Sequence, residues 1–77
     1  MNQSTLFNDD LHFDHSRRAW TFSGLQSGSL ITVFVDEKYF RADQKMSNCT
    51  KFDWEEAVEI WLESNEPDGN GEIKLTF

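Results

Sequence analysis

Residues 53–65, which read DWEEAVEIWLESN, carry the clearest structural signal in the sequence. Its apolar side chains recur at intervals of three and four residues, the spacing of one face of an α-helix. They are Trp54, Ala57, Val58, Trp61 and Leu62. Glutamates occupy the opposite side. The stretch therefore predicts an amphipathic helix from about Asp53 to Asn65, with its ring-bearing face packed against the rest of the domain.

The start of this helix has two candidates. Asp53 and Glu56 stand three residues apart, as the two partners of a capping box do. Thr50 and Asp53 have the same spacing and form a competing start. The end is clearer, because Pro67 cannot continue a helix and glycines follow it.

Strand periodicity flanks the helix on both sides. Residues 29–35 are the most β-prone stretch, with Ile31, Val33 and Val35 on one face and Leu30 and Phe34 on the other. A strand that is apolar on both faces is expected to be central and covered. Alternating side chains also predict strands over residues 18–22 and 72–77, and a short strand is expected at 11–13.

The remaining segments predict turns, two loops and a second, shorter helix. The first loop covers residues 23–28, where two glycines and two serines cluster, and the second covers residues 45–49. A tight turn is expected at residues 14–16, residues 1–5 are expected to fray, and Asp36 is expected to cap a short helix that ends near Gln44. The sequence thus predicts a single α+β domain over residues 1–77. Its order is β-β-β-α-α-β, with a small, mostly antiparallel sheet and one main amphipathic helix on one face.

Charge and cysteine content restrict the function. Fourteen Asp and Glu residues face seven Lys and Arg residues, for a net charge of −7. Such a field repels nucleic acid and anionic membrane surfaces, so neither is expected as a partner. Cys49 is the single cysteine and can form no intramolecular disulfide, which is typical of a reducing compartment. No apolar leader is seen, and a cytoplasmic protein is expected.

Two clusters of polar residues suggest metal binding. Residues 68–73, DGNGEI, resemble the middle of a calcium loop. When Gly71 takes the invariant glycine position, however, Phe77 stands where a bidentate Glu is needed and Pro67 interrupts the ligands. The second cluster places His12 and His15 among three aspartates, but residues three apart in one strand point to opposite faces. We therefore assign no metal, cofactor or catalytic residue, and interpret the first cluster as a turn.

Cys49 and the basic pair Arg17-Arg18 carry no further motif. A lone cysteine without a local signature is usually a small buried apolar residue. One basic pair is too small for a nucleic-acid footprint. No phosphate-binding loop or nucleophile motif is present in the sequence, so the chain is not expected to be an enzyme.

The leading interpretation is a non-enzymatic protein–protein interaction module, with a second copy of the chain as one candidate partner. Aromatic side chains are common anchors of such contacts, and the glutamates of the main helix form an acidic face. Like charges four residues apart cost a few tenths of a kcal/mol, which favours a role for that face. The predicted surface comprises Trp20, Tyr39, Phe40, Glu55, Glu59 and Glu63. The alternative is a metal-linked binding or regulatory domain that uses one of the two polar clusters.

A family resemblance rests on residues scattered over most of the chain. Those of the first half are Met1-Asn2-Gln3, Phe7, Asp9, Asp14, Arg17-Arg18, Phe22, Leu25, Gly28 and Thr32; those of the second half are Asp53, Glu55, Glu56, Glu59, Asp68, Gly71 and Leu75. On these residues the chain resembles the YrdB-like family of small bacterial proteins of unknown function. The family's His-Arg pair is missing around residues 49–52. The resemblance implies a bacterial cytosolic α+β domain, and it implies no activity and no site residues.

Overall fold

A computed structural model describes residues 5–77 of the chain. Its elements are β1 (Thr5–Phe7), β2 (His12–Asp14), β3 (Ala19–Gln26), β4 (Ser29–Asp36), α1 (Asn48–Leu62) and β5 (Glu72–Leu75). The strands form one sheet in the order β1-β3-β4-β5, and β2 pairs with β3. Only the β4–β5 pair is parallel in this part of the chain. The predicted α+β class with a mostly antiparallel sheet is confirmed.

Strands β1 and β2 lie end to end along the outer edge of β3. Phe7 stands opposite Gly24, and His12 stands opposite Thr21. Between the two strands, Asp10 accepts hydrogen bonds from the backbone N–H (2.9 Å) and the hydroxyl of Ser23. These hydrogen bonds hold the four residues between β1 and β2 against β3. The outer edge of the sheet is therefore interrupted, which disfavours pairing with a strand of another chain.

The hairpin between β3 and β4 is tighter than the sequence predicts. Its turn is made of Ser27 and Gly28, with φ of 51° and 84°, the left-handed pair typical of a two-residue hairpin turn. The predicted loop over residues 23–28 is therefore wrong, because β3 continues to Gln26. Gly24 lies inside β3, and a glycine is needed there because a Cβ would stand 2.8 Å from the carbonyl oxygen of Leu6.

Three other expectations about local structure are corrected. Fraying is wrong at Thr5, which is buried in β1, and residues 1–4 lie outside the described residues. The short helix after Asp36 is a turn, in which Lys38 N–H donates to the Asp36 carboxylate at 2.9 Å and Tyr39 N–H donates to its carbonyl at 3.0 Å. The main helix begins five residues before Asp53, so the loop predicted over residues 45–49 is wrong at its last two residues. The cap is Ser47, whose hydroxyl accepts from Thr50 N–H at 3.1 Å.

The core lies between α1 and one face of the sheet. Antiparallel partners share a face, so Trp20, Phe22, Val33 and Val35 all point to the helix side. Trp54 and Val58 of α1 are buried against them, and Trp61 is half-buried on the same cluster. The predicted packing of the ring-bearing helix face is confirmed.

The opposite face of the sheet, called the open face below, is covered by no helix or strand of residues 5–77. Strand β4 is internal, as its sequence predicts, yet it is covered on one side only. Its outward residues differ in burial: Phe34 is 8 % exposed, whereas Leu30 is 61 % exposed. The open face is therefore apolar in places and accessible to a partner.

Candidate functional site on the open face of the sheet

A row of three leucines crosses one end of the open face. Leu6 of β1 stands opposite Leu25 of β3, and Leu25 stands opposite Leu30 of β4. Register thus places these side chains side by side on three adjacent strands, with 71, 42 and 61 % of their surface exposed. Contiguous apolar exposure, unlike isolated apolar residues, marks interaction surfaces. We call Leu6, Leu25 and Leu30 the leucine row.

The other end of the open face carries a cleft of about 330 Å³ with a cationic lining. Three cations contribute to it: Arg17, Lys38 and Lys74. Asp36 is the one carboxylate in the lining. The remaining wall is apolar or small and consists of Ala19, Phe34, Tyr39, Leu75 and Thr76. We call this site the basic cleft.

Arg17 is held over the sheet by the turn between β2 and β3. The Asp14 carboxylate accepts the backbone N–H groups of Ser16 (2.9 Å) and Arg17 (3.1 Å), which confirms the turn predicted at this point. The guanidinium carbon of Arg17 lies 4.4 Å from the centroid of the Phe34 ring, and its Nη2 donates to Glu72 Oε2 at 3.0 Å. The hydrogen bond and charge of Glu72 raise the Arg17 pKa, so this cation is permanent.

The predicted interaction residues are dispersed by the fold. Trp20 is buried in the core, where its indole N–H donates to the Phe40 carbonyl at 2.9 Å, so the expectation that it is an exposed contact residue is wrong. Tyr39 lines the basic cleft, and Phe40 packs edge-on against Trp54 on the helix side at 5.6 Å. An interaction role for Tyr39 and Phe40 stays a prediction.

The acidic helix face is partly neutralised within the chain. Glu55 forms an ion pair with Lys51 at 3.5 Å, and the same ammonium forms a second ion pair with Asp9 at 3.4 Å. Glu63 is exposed and Glu59 is half-buried. These glutamates lie on the other side of the molecule from the leucine row, so the fold does not bring the predicted residues into one surface.

The glycine-rich segment after α1 is organised as a turn. The Asp68 carboxylate accepts the backbone N–H groups of Asn70 at 2.8 Å and Glu72 at 3.0 Å. These bonds, that of Glu72 first, favour the ionised carboxylate and lower the Asp68 pKa. Both bonds end on Oδ1 of Asp68 and close the turn that the sequence predicts for this segment.

The second polar cluster also makes local contacts. His12 Nδ1 lies 2.8 Å from the Asp10 carbonyl, and the His15 ring packs edge-on to Phe13 at 5.0 Å. Across residues 5–77, no group of three His, Cys, Asp or Glu side chains is placed to hold a metal ion. Cys49 is exposed in the first turn of α1 rather than buried. Within the same residues, no helix has the length and apolarity needed to cross a membrane.

The sequence signals for the open face were incomplete. Leu30 and Phe34 are assigned to one face by their spacing alone, but Leu6 and Leu25 fall in segments without a predicted strand. Arg17 and Glu72 are 55 residues apart, and no local pattern links them. Only the pairing of distant strands shows that these residues share one surface.

Comparison with known proteins adds one solved structure. The chain is similar to a protein of unknown function from the DUF1488 family of Shewanella loihica PV-4, whose crystal structure was determined at 1.60 Å. The two share 27 % sequence identity, with a TM-score of 0.74, over 97 % of this chain and 94 % of the other. No protein-family model and no curated protein matches the chain.

The similarity extends over nearly the whole of both chains, so the α+β fold described above is that of the Shewanella protein as well. It supports a domain family of unknown function. It does not confirm the YrdB-like name, and it assigns no activity to either end of the open face.

Proposed function

We propose that this protein is a non-enzymatic interaction module that binds an extended segment of another protein across its open face. The observation that carries the proposal is the leucine row, in which Leu6, Leu25 and Leu30 lie side by side on adjacent strands and remain exposed. Burying one such side chain contributes about 1.5–3 kcal/mol. Three contiguous ones therefore supply a binding core.

Charge complementarity defines the chemistry of the partner. The far end of the open face carries the basic cleft, where three of the seven cations of the chain converge. Phe34 lies four positions after Leu30 in β4, a distance of about 14 Å along the strand. A partner segment of about five extended residues spans it, with apolar side chains over the leucine row and carboxylates at the cleft.

A second copy of the chain fits this surface less well. Two copies would each bring a net charge of −7, and their mutual repulsion opposes association. The open face is also uneven, apolar at one end and cationic at the other, whereas a two-fold contact needs a self-complementary surface. We therefore assign the face to a different protein.

We also infer that the chain belongs to the DUF1488 family, since it matches the Shewanella protein at 27 % identity over nearly all of both chains. The YrdB-like resemblance of the scattered residues is a proposal of the same kind. A bacterial cytoplasmic location is part of it, supported by the single unpaired cysteine.

The test uses short peptides in which leucine alternates with aspartate or with lysine, and measures binding by fluorescence anisotropy. We expect the leucine–aspartate peptide to bind more tightly. Leu30→Ser should weaken that binding about tenfold or more, because an apolar contact is lost. Ile60→Ser is the matched control, since Ile60 is 58 % exposed on α1 and Leu30 is 61 % exposed on the open face.

Three outcomes would overturn the proposal. The first is that neither peptide binds, and the second is that Ile60→Ser weakens binding as much as Leu30→Ser does. The third comes from sedimentation of the protein alone: a dimer that Leu30→Ser dissociates would show that a second copy covers the open face.

A further inference from the structure

The basic cleft gathers cations in a protein that is otherwise acidic. Its lining holds three cations and one carboxylate, whereas the whole chain has seven cations and fourteen carboxylates. Like charges that share a cleft repel one another, and low-dielectric walls concentrate their field. An anion placed among them relieves this repulsion.

Arg17 is already ordered for such an anion. Stacking on Phe34 at 4.4 Å and the 3.0 Å bond to Glu72 fix the guanidinium, so binding costs little further side-chain entropy. A guanidinium has five N–H donors and one hydrogen bond to Glu72 uses a single donor. Since 47 % of the Arg17 side chain remains exposed, the other donors are accessible from the cleft.

Lys38 and Lys74 add two exposed cations to the cleft. Neither ammonium forms a salt bridge with a carboxylate of residues 5–77. Lys38 Nζ lies 5.2 Å from the centroid of the Tyr39 ring, at the side of the cleft. Both ammonium groups therefore remain available to a ligand that Arg17 binds in the same cleft.

The shape and walls of the cleft specify the rest of the ligand. A volume of about 330 Å³ is at the small end of the range for ligand pockets. The half-buried ring of Tyr39 offers apolar surface beside the cations, whereas the Phe34 ring is covered by Arg17. We propose that the basic cleft binds a dianionic group of phosphate-monoester chemistry carried on a flat apolar body such as an aromatic ring.

This inference rests on the proposed function in one respect, that the cleft is one end of the same open face. The dianion can belong to a free small molecule or to a side chain of the bound partner, and the chemistry of recognition is shared. Three probes separate the sources: inorganic phosphate, phenyl phosphate, and a phosphotyrosine peptide with leucines placed to reach the leucine row.

The experiment is a titration of backbone amide NMR signals at constant ionic strength. We expect saturable shifts at Ala19, Asp36 and Thr76, tighter binding of phenyl phosphate than of inorganic phosphate, and three- to tenfold weaker binding after Lys74→Gln, roughly the effect of one lost ion pair. Lys45→Gln makes the same change of charge at an exposed lysine outside the cleft and should leave the affinity unchanged.

The absence of saturable shifts would overturn the inference, and so would equal losses in the Lys74→Gln and Lys45→Gln variants, since that result indicates non-specific attraction. Leu30→Ser distinguishes the two proposals. It should leave phenyl phosphate binding intact, and it should weaken the phosphotyrosine peptide only if the dianion is borne by a partner. If phenyl phosphate binds and no leucine–aspartate peptide does, the proposed function alone is wrong. If the peptide binds and phenyl phosphate does not, this inference alone is wrong.

Discussion

Gly71 shows how a single residue positions the last strand. Its φ is +75°, and a Cβ added there would stand 2.7 Å from the carbonyl oxygen of Leu30. This oxygen belongs to the backbone of β4, so it cannot move without distorting the strand. Gly71→Ala should therefore cost about 2–3 kcal/mol of unfolding free energy, measured by urea denaturation. Gly69→Ala is the control, because a Cβ at Gly69 meets nothing within 4 Å. Equal losses in the two variants would contradict this reason.

Asp68 predicts a dependence of stability on pH. Its backbone hydrogen bonds lower its pKa in the folded state below the ordinary value of 3.8. The ionised carboxylate therefore contributes to the free energy of unfolding above about pH 4, where Asp68 is ionised in the unfolded chain as well. This contribution is lost as the pH falls through the lower pKa of the folded state. Asp68→Asn keeps an oxygen acceptor and removes the charge.

We expect the Asp68→Asn variant to be less stable than wild type at pH 7 and to approach wild type in strong acid, by thermal unfolding at each pH. Glu66→Gln is a suitable control, since Glu66 is exposed two residues earlier. A stability difference that stays constant between neutral pH and strong acid would refute the assigned role of the Asp68 charge.

Among the elements, the main helix α1 allows a test of which residue is its N-cap, Ser47 or Asp53. Ser47 accepts the N–H of Thr50 at 3.1 Å, and Asp53 lies inside α1 rather than before it. Ser47→Ala should cost about 1 kcal/mol, the usual value of an N-cap hydroxyl. Asp53→Ala should change stability by less than about 0.5 kcal/mol, as exposed surface substitutions do. Denaturant midpoints compare the two variants, and a larger loss at Asp53 would restore the start predicted from the sequence.

Periodicity predicted the elements that have one strong repeat. The helix face through Trp54 and Trp61 and the strand through Val33 were both identified, because burial imposes the spacings of 3.6 and 2 residues. Residues 23–26 were misjudged as loop since Gly24 and its neighbours are typical of turns. Gly24 is required instead by the approach of Leu6, a contact between distant parts of the chain that no local window contains.

The candidate site was less predictable than the fold. Spacing alone assigned Leu30 and Phe34 to the face away from Ile31 and Val33, which proved to be the open face. The leucine row, however, depends on the register of β1 with β3 and of β3 with β4. Trp20 was placed on the predicted surface because aromatic side chains are common anchors of protein contacts, yet it is buried against Trp54 and Phe40.

At the scale of the whole molecule, charge and burial divide the protein into two sides. The helix side holds the exposed carboxylates of α1, and the sheet side holds the leucine row and the basic cleft. Of the eleven buried apolar side chains of residues 5–77, nine form one cluster between α1 and the sheet, and the other two, Ala19 and Phe34, lie on the open face. A single cluster predicts that the domain unfolds as one cooperative unit.

Val58 provides the test of that cooperativity, because it is fully buried at the centre of the helix–sheet contact. Val58→Ala removes two methyl groups and leaves a small cavity, which should cost about 2 kcal/mol. A chain of this length has a total stability of roughly 4–12 kcal/mol, so the midpoint should move visibly. Tryptophan fluorescence and far-UV circular dichroism should report the same midpoint, in the wild type and in the variant.

The control is Ile60→Ala, two residues further along α1 and 58 % exposed, which should move the unfolding midpoint little. Transitions that separate between the two probes would mean that α1 unfolds apart from the sheet, and the open face would then belong to a sheet whose own stability does not depend on the helix.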